Sequence, residues 1–248
     1  MVGAVNELAE RIRSARRLAV VTGAGVSAAS GVPTFRGPQG MWKRYRPEDL
    51  ATADAFAADP RLVWEWYEWR RTTIAGCRPN AAHDVLARWS RERPGVRVIT
   101  QNVDDLHLRA GTENLIRLHG SIWELSCWNR CAAAAWRDKR TPLPELPPRC
   151  PTCGGLARPA VVWFGESLNP ADVDAAHDAS ACEVFLTVGT SAIVYPAAAF
   201  LHRAKTAGAF TAEINLEETP ASELVDIAIH EPAEDVLVEI DMVLAGTG

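Results

Sequence analysis

The stretch LAVVTGAGVSA, residues 18–28, decides the fold of this 248-residue chain. Its apolar run Leu18–Val21 predicts a short buried strand, and Gly23–Ala28 predicts a glycine turn followed by the start of a helix. This order is the phosphate-binding unit of dinucleotide-binding folds, in which amide groups at the helix N-terminus face the pyrophosphate. A dehydrogenase of that class carries a ribose-binding acid about 20 residues further on. This chain has Lys43 and Arg44 in that region, which disfavours a dehydrogenase.

Strand and helix patterns alternate along the rest of the chain. Further strands are predicted at Val96–Thr100, Ala160–Phe164, Val184–Val188 and Phe210–Ile214, and helices at Pro60–Ile74, Ala81–Trp89, Pro170–Ser180 and Pro196–Ala207. Such an order is typical of a parallel sheet with helices on both faces. The segment between the first two strands is too long for a simple crossover helix, so it holds an insertion. We therefore predict an α/β fold with a Rossmann-like, doubly wound parallel sheet and a small insertion module.

The overall composition is that of an ordinary globular chain. Hydrophobic residues make up 48%, and 26 basic against 31 acidic residues give a net charge of −5. The chain lacks the dense basic stripe of a nucleic-acid-binding protein, so no nucleic-acid partner is expected. No apolar run has the roughly 18 residues that a membrane span needs. The first ten residues contain Glu7 and Glu10, whereas a signal peptide is basic and then apolar. We expect a cytoplasmic protein with no membrane partner. The sequence leaves the oligomeric state open, a monomer being compatible with it.

Four of the six cysteines form two close pairs. Cys127 and Cys131 are separated by three residues, and Cys150 and Cys153 by two. Two such loops can bring four thiolates to one tetrahedral zinc ion at about 2.3 Å. The alternative is four buried cysteines without a metal. Four thiolates leave no open position on the ion, so the predicted zinc is structural and not catalytic.

A set of short motifs then stands in one order along the chain. The motifs are GAGVS (23–27), GVPTFRG (31–37), TQNVD (100–104), LHG (118–120), the two cysteine pairs and VWFGE (162–166). With them the chain closely resembles the sirtuins, NAD-dependent protein lysine deacylases, from about residue 15 to about residue 237. The resemblance implies NAD as a consumed co-substrate, one structural zinc ion and acyl-lysine proteins as substrates. The products would be nicotinamide, free lysine and O-acyl-ADP-ribose.

The resemblance also assigns an NAD site. Its residues are Gly23, Ala24, Gly25, Phe35, Arg36, Gln101, Asn102, Asp104, Gly189, Thr190, Ser191, Asn215, Glu217 and Ala233. The glycine turn would line the phosphates, and Asp104 would hold the nicotinamide amide. Several of these residues directly follow predicted strands, where open parallel sheets bind their ligands. Taken alone, the glycines could serve only a tight turn, and the polar residues could cap helices.

His119 is the predicted catalytic residue. It follows an apolar strand and precedes Gly120, an arrangement that presents an imidazole to a cleft, and a pKa of about 6.5 suits a base at neutral pH. The resemblance makes His119 the general base and implies that Asn102 orients the ribose or a water molecule. A lone histidine is otherwise most often structural or exposed. His107, which is nearby in the chain, is expected on a helix surface.

The acyl group is predicted from Ala51, Tyr67 and Arg70. Tyr67 and Arg70 are three residues apart, so they share one helix face, and a guanidinium beside a phenol matches a carboxylate. This pattern resembles the desuccinylase and demalonylase branch of the sirtuins. The alternative is that Tyr67 packs among tryptophans while Arg70 and Arg71 form a solvated edge. The resemblance further implies that the backbone of Val162, Trp163, Phe164 and Gly165 pairs with an extended substrate.

These expectations define segments and rival functions. Residues 1–36, 81–120 and 160–248 are predicted to form the NAD-binding domain, 37–80 the cofactor loop and helical insertion, and 121–159 the zinc-ribbon insertion. One rival is a plain deacetylase or ADP-ribosyltransferase of the same fold. Another is a non-catalytic sensor of NAD or ADP-ribose, which would need no base such as His119.

Overall fold

The computed structural model describes residues 2–35, 46–191 and 197–246. Its strands are β1 (Leu18–Thr22), β2 (Val96–Thr100), β3 (Leu115–Arg117), β4 (Gly120–Cys127), β5 (Trp136–Arg137), β6 (Ala157–Val161), β7 (Val184–Val188), β8 (Phe210–Ile214) and β9 (Ile227–Ile229). Its α-helices are α1 (Val2–Ser14), α2 (Pro47–Leu50), α3 (Ala53–Ala58), α4 (Pro60–Gly76), α5 (Ala81–Glu92), α6 (Leu106–Ala110), α7 (Pro170–Ser180), α8 (Ala197–Thr206) and α9 (Ala233–Ala245). None of these helices is long and apolar enough to cross a membrane.

The large sheet is parallel and six-stranded, in the order β3-β2-β1-β7-β8-β9. All five residues of β1 are buried, as expected for a central strand covered on both faces. Leu18 and Val20 pack with α1, α5 and α9, while Ala19 and Val21 pack with α7 and α8 on the opposite face. The predicted Rossmann-like fold is therefore confirmed. Strand order reverses at β1, so the C-terminal ends of β1 and β7 open a crevice at the edge of the sheet.

A second, smaller unit contains the antiparallel sheet β5-β4-β6 and the helices α2 to α4. Its core is rich in aromatic rings, among them Phe56, Trp64 and Trp163. Helix α4 begins where the Asp59 carboxylate accepts a hydrogen bond from the Leu62 amide at 2.9 Å. The face of α4 that carries Tyr67 and Arg70 lies opposite the crevice of the large sheet.

Two sequence predictions differ from the structure. The strand predicted at Ala160–Phe164 is β6, Ala157–Val161, and it pairs antiparallel with β4 in the small sheet, not in the parallel sheet. An apolar run indicates a strand but not its partner, which explains the error. The helix predicted after the glycine turn is a 3-10 helix, Ala24–Ser30, ended by Gly31 at φ 87°. The division into the five sequence segments stays a prediction.

Candidate active site

A cleft of about 550 Å³ lies between the two units. Most of the predicted site residues line it: Gly23, Ala24, Gly25, Phe35, Ala51, Tyr67, Arg70, Gln101, Asn102, His119, Val162, Trp163, Phe164, Gly165, Gly189, Thr190, Ser191, Asn215 and Glu217. Among the predicted NAD-binding, catalytic and substrate-binding residues that the structure describes, two do not line it. Asp104 is buried beneath the floor, and Ala233 packs in the core at the start of α9. Arg36 lies outside the described residues.

Glycine backbone forms the floor of the cleft where β1 and β7 end. The Gly25 amide donates to the Gly189 carbonyl at 2.8 Å. A Cβ atom on Gly23 or on Gly25 would stand 2.7 Å from the Gly189 carbonyl oxygen, which is too close for any side chain. The two loops touch only because these positions are glycine. The floor is therefore backbone, open to the close approach of a ligand such as a pyrophosphate.

Asn102 is held by a buried polar network under this floor. Its amide nitrogen donates to the Gly23 carbonyl at 2.9 Å and contacts the Ser27 hydroxyl at 3.3 Å. Ser27 donates in turn to the Asp104 carboxylate at 2.8 Å. Burial raises the pKa of Asp104, opposed by the hydrogen bonds from Leu106 and Ser27. Since the nitrogen is engaged, the side-chain oxygen of Asn102 is the atom left for a ligand.

Ser27 is a functional candidate that the sequence analysis missed, as is His83. The Ser27 hydroxyl oxygen lies 3.4 Å from the His83 Nε2. Burial lowers the pKa of His83 to about 4. His83 lies in the first turn of α5, three residues after its cap Asn80. Capping-box spacing could have located this histidine from the sequence.

His107 is buried, contrary to the predicted surface position. It is 1% exposed, its Nε2 lies 3.0 Å from the Thr22 hydroxyl, and its ring centroid lies 4.7 Å from that of His83. Helix α6 turns this side chain inward, beneath the crevice. A short helix of one turn gave too little periodicity to show which face is buried.

His119 lies between β3 and β4, partly buried at the cleft wall. Its Nδ1 lies 2.8 Å from the Gln101 carbonyl oxygen. A carbonyl only accepts, so Nδ1 carries the proton and Nε2 is left as an acceptor. Burial lowers the pKa of His119, although the hydrogen bond to Gln101 raises it. The imidazole is therefore neutral at pH 7, as a general base must be.

Arg70 and Tyr67 form the wall of the cleft on α4. They are 6% and 2% exposed. The Arg70 Cζ stands 4.7 Å from the centroid of the Phe35 ring and 5.0 Å from that of Trp66. Aromatic rings thus contact the guanidinium, yet within the described ranges it has no hydrogen bond and no ion pair. Ala51, 7% exposed, adds a small side chain to the same wall.

Arg71 is fully buried and donates hydrogen bonds of 2.8 Å to the carbonyls of Ile122, Asp138 and Arg140. It belongs to the structural core and ties α4 to the small sheet. The alternative of a solvated edge formed by Arg70 and Arg71 is therefore wrong.

The four paired cysteines come together at one end of the small sheet. All four sulfur atoms lie within 4.8 Å of one another. The Cys127–Cys153 and Cys131–Cys150 sulfur distances are 3.5 and 3.7 Å. Tetrahedral zinc with bonds of about 2.3 Å places its sulfur ligands about 3.8 Å apart. The donor set and its spacing fit one structural zinc ion, and the alternative of cysteines without a metal is disfavoured.

Comparison with known proteins agrees with this geometry. Residues 23–196 match the Sir2 family. A relative from Aquifex aeolicus named NAD-dependent protein deacylase is 48% identical over 224 residues, covering 90% of this chain and 93% of its own length. NAD-dependent protein deacylase 2 of Pyrobaculum aerophilum is 49% identical over 231 residues, covering 93% and 92%.

Solved structures give the same result. One described as a Sir2 homologue in complex with NAD superposes with a TM-score of 0.90 at 42% identity, covering 98% of this chain and 94% of that one. Fold, zinc cluster and cleft agree with these matches over nearly the full length of the chain. The chain belongs to the Sir2 family.

Proposed function

We propose that the protein is an NAD-dependent protein lysine deacylase that removes malonyl and succinyl groups in preference to acetyl. Its family membership and the names of the two relatives support the general activity. The acyl preference is carried by one observation. A buried guanidinium, that of Arg70, faces the cleft and makes no hydrogen bond or ion pair in the part of the chain that the structure describes, since the buried Asp104 carboxylate acts on it only from beyond ion-pair distance.

Electrostatics favour a carboxylate at this place. A buried cation is unfavourable unless it is paired, and burial accordingly lowers the pKa of Arg70. The ring contacts with Phe35 and Trp66 replace only part of the stabilisation that the guanidinium loses when it leaves water. A carboxylate at the distal end of a malonyl or succinyl group would accept from the guanidinium edge. An acetyl group carries no such acceptor.

The other cleft residues divide into binding and proton-transfer roles. The glycine floor and the residues after β7 and β8 would hold NAD, which supplies an electrophilic ribose carbon and a nicotinamide leaving group. Asn102, whose amide nitrogen is tied to Gly23, would present its oxygen to the ribose or to a water molecule. His119 would accept the proton of a ribose hydroxyl at Nε2, since Nδ1 is engaged by Gln101.

The segment Val162–Gly165 would bind the substrate backbone. Its amides at Val162 and Phe164 donate to the carbonyls of His119 and Ala51, at 3.0 and 2.9 Å. These bonds hold the segment extended along the cleft, next to both the proposed base and the proposed acyl pocket. Backbone pairing at such a segment tolerates many peptide sequences.

The experiment is an NAD-dependent nicotinamide-release assay on one peptide carrying acetyl-, malonyl- or succinyl-lysine. We expect kcat/KM for the two acidic acyl groups to exceed that for acetyl. Release that is fastest with acetyl-lysine would identify a plain deacetylase. NAD binding without release from any of the three peptides would identify a sensor.

A further inference from the structure

We propose that the indole N–H of Trp163 fixes the Tyr67 hydroxyl as a hydrogen-bond donor to the acyl carboxylate. Trp163 is then a positioning residue for acyl selectivity, acting through Tyr67. This inference rests on the proposed function and assigns to a side chain a role beyond the backbone pairing described above.

The direction of one hydrogen bond carries the argument. The Trp163 Nε1 lies 2.9 Å from the Tyr67 hydroxyl oxygen, and both side chains are 2% exposed. An indole nitrogen only donates, so the phenol oxygen must accept. The hydroxyl proton of Tyr67 therefore points away from Trp163. Among the described residues it has no acceptor, while Tyr67 itself lines the cleft.

The phenol keeps its proton at neutral pH. Burial raises the pKa of Tyr67, a shift that the nearby charge of Arg70 only partly opposes. A carboxylate accepts hydrogen bonds and donates none, so it needs donors around it. Arg70 provides one and the oriented Tyr67 hydroxyl provides a second. The pair matches the two oxygens of one carboxylate.

Contacts on several sides fix the orientation of the Trp163 side chain. The Arg158 Cζ lies 3.5 Å from its ring centroid, and Arg158 donates to Glu166 at 2.8 Å. Glu166 also accepts from the Trp163 backbone amide at 2.8 Å. The ring of Phe56 packs at a centroid distance of 5.4 Å. Turning the indole would break its ring contacts with Arg158 and Phe56, so its N–H direction is preset before substrate binds.

The test compares the ratio of kcat/KM for succinyl-lysine to that for acetyl-lysine on one peptide. Trp163→Phe removes the indole N–H and keeps an aromatic ring, and we expect the ratio to fall roughly 2- to 10-fold, the effect of one neutral hydrogen bond. Any change in peptide binding affects both acyl forms and cancels in the ratio. Trp69→Phe is the matched control, because Trp69 lies on the same helix as Tyr67 but is 44% exposed and does not line the cleft. Its ratio should stay at the wild-type value.

Tyr67→Phe supplies the second arm. In that background Trp163→Phe should change the ratio no further, because the hydroxyl that it positions is gone. The inference is overturned if Trp163→Phe leaves the ratio unchanged, or if its effect persists in full without the hydroxyl. Should Trp163→Phe not fold, a Tyr67→Phe variant with an unchanged ratio would overturn it equally. A wild type that favours acetyl-lysine would instead overturn the proposed function, and this inference with it.

Discussion

Removal of the His119 imidazole tests the proposed chemistry of the cleft. The His119→Ala variant keeps the backbone contact from Val162 but deletes the free Nε2. A general base contributes roughly 10²- to 10⁴-fold to a rate, so deacylation should fall by that factor. Binding of NAD should be nearly unchanged, because the glycine floor and the ends of β7 and β8 remain intact.

The wild-type pH profile provides a second measure of the same group. Only neutral imidazole accepts a proton, so kcat/KM should rise with pH up to the pKa of His119 and stay level above it. Burial lowers that pKa, which places the rise below about pH 6.5. In the His119→Ala variant this rise should be absent.

The assay is product formation from an acylated peptide, with NAD binding measured by calorimetry. His202→Ala is a suitable control, since His202 is exposed on α8 and does not line the cleft. Near-normal turnover of a folded His119→Ala variant would refute the reasoning. A wild-type rise centred well above pH 6.5 would also contradict the lowering of the His119 pKa by burial.

Three further predictions concern the scaffold. Chelation of zinc, or Cys150→Ser, should unfold or aggregate the protein, because the ion holds the small unit together. Metal content and thermal unfolding measure this effect. A metal-free protein with full activity would contradict the structural role of the zinc. Arg71→Met should lower the free energy of unfolding by about 3 kcal/mol or more, because three buried carbonyls lose their hydrogen-bond donor. Arg61 is exposed, so Arg61→Met should change the free energy of unfolding little. Equal effects of the two substitutions in urea titrations would contradict this prediction. Burial lowers the pKa of His83 to about 4 in the folded protein, against about 6.5 in the unfolded chain. As the pH falls below about 6.5, the unfolded chain therefore binds a proton that the folded protein does not. The free energy of unfolding should drop by up to about 3 kcal/mol between about pH 6.5 and pH 4. His83→Gln should reduce that drop, and a drop of unchanged size in urea titrations would exclude His83 as its source.

The sequence was most informative where one physical constraint acts on consecutive residues. The run Leu18–Val21 must be apolar because both faces of β1 are covered, and Gly23 and Gly25 must lack side chains because Gly189 touches them. The cysteine spacing located the metal site for the same reason, since the donors lie on two short loops.

Predictions failed where the outcome depends on tertiary packing. The partner of β6 and the inward position of His107 follow from contacts that are distant in sequence. The assignment of Asp104 to the NAD site stays a prediction; its carboxylate is buried and accepts a hydrogen bond from Ser27. Ala233, assigned to the site by resemblance, packs in the core, and its contact with NAD likewise stays a prediction.

The most direct test of the proposed acyl preference is the succinyl-to-acetyl ratio of kcat/KM in wild type, Arg70→Met and Arg61→Met. Methionine keeps the apolar stem of Arg70 and removes its guanidinium, whose charge-assisted hydrogen bond is worth about 1.5–3 kcal/mol. The ratio should therefore favour succinyl in wild type and in Arg61→Met and fall roughly 10- to 100-fold in Arg70→Met, with acetyl activity little changed or higher. A wild type that prefers acetyl-lysine, or an Arg70→Met variant that loses both activities equally, would contradict the assignment of this wall of the cleft.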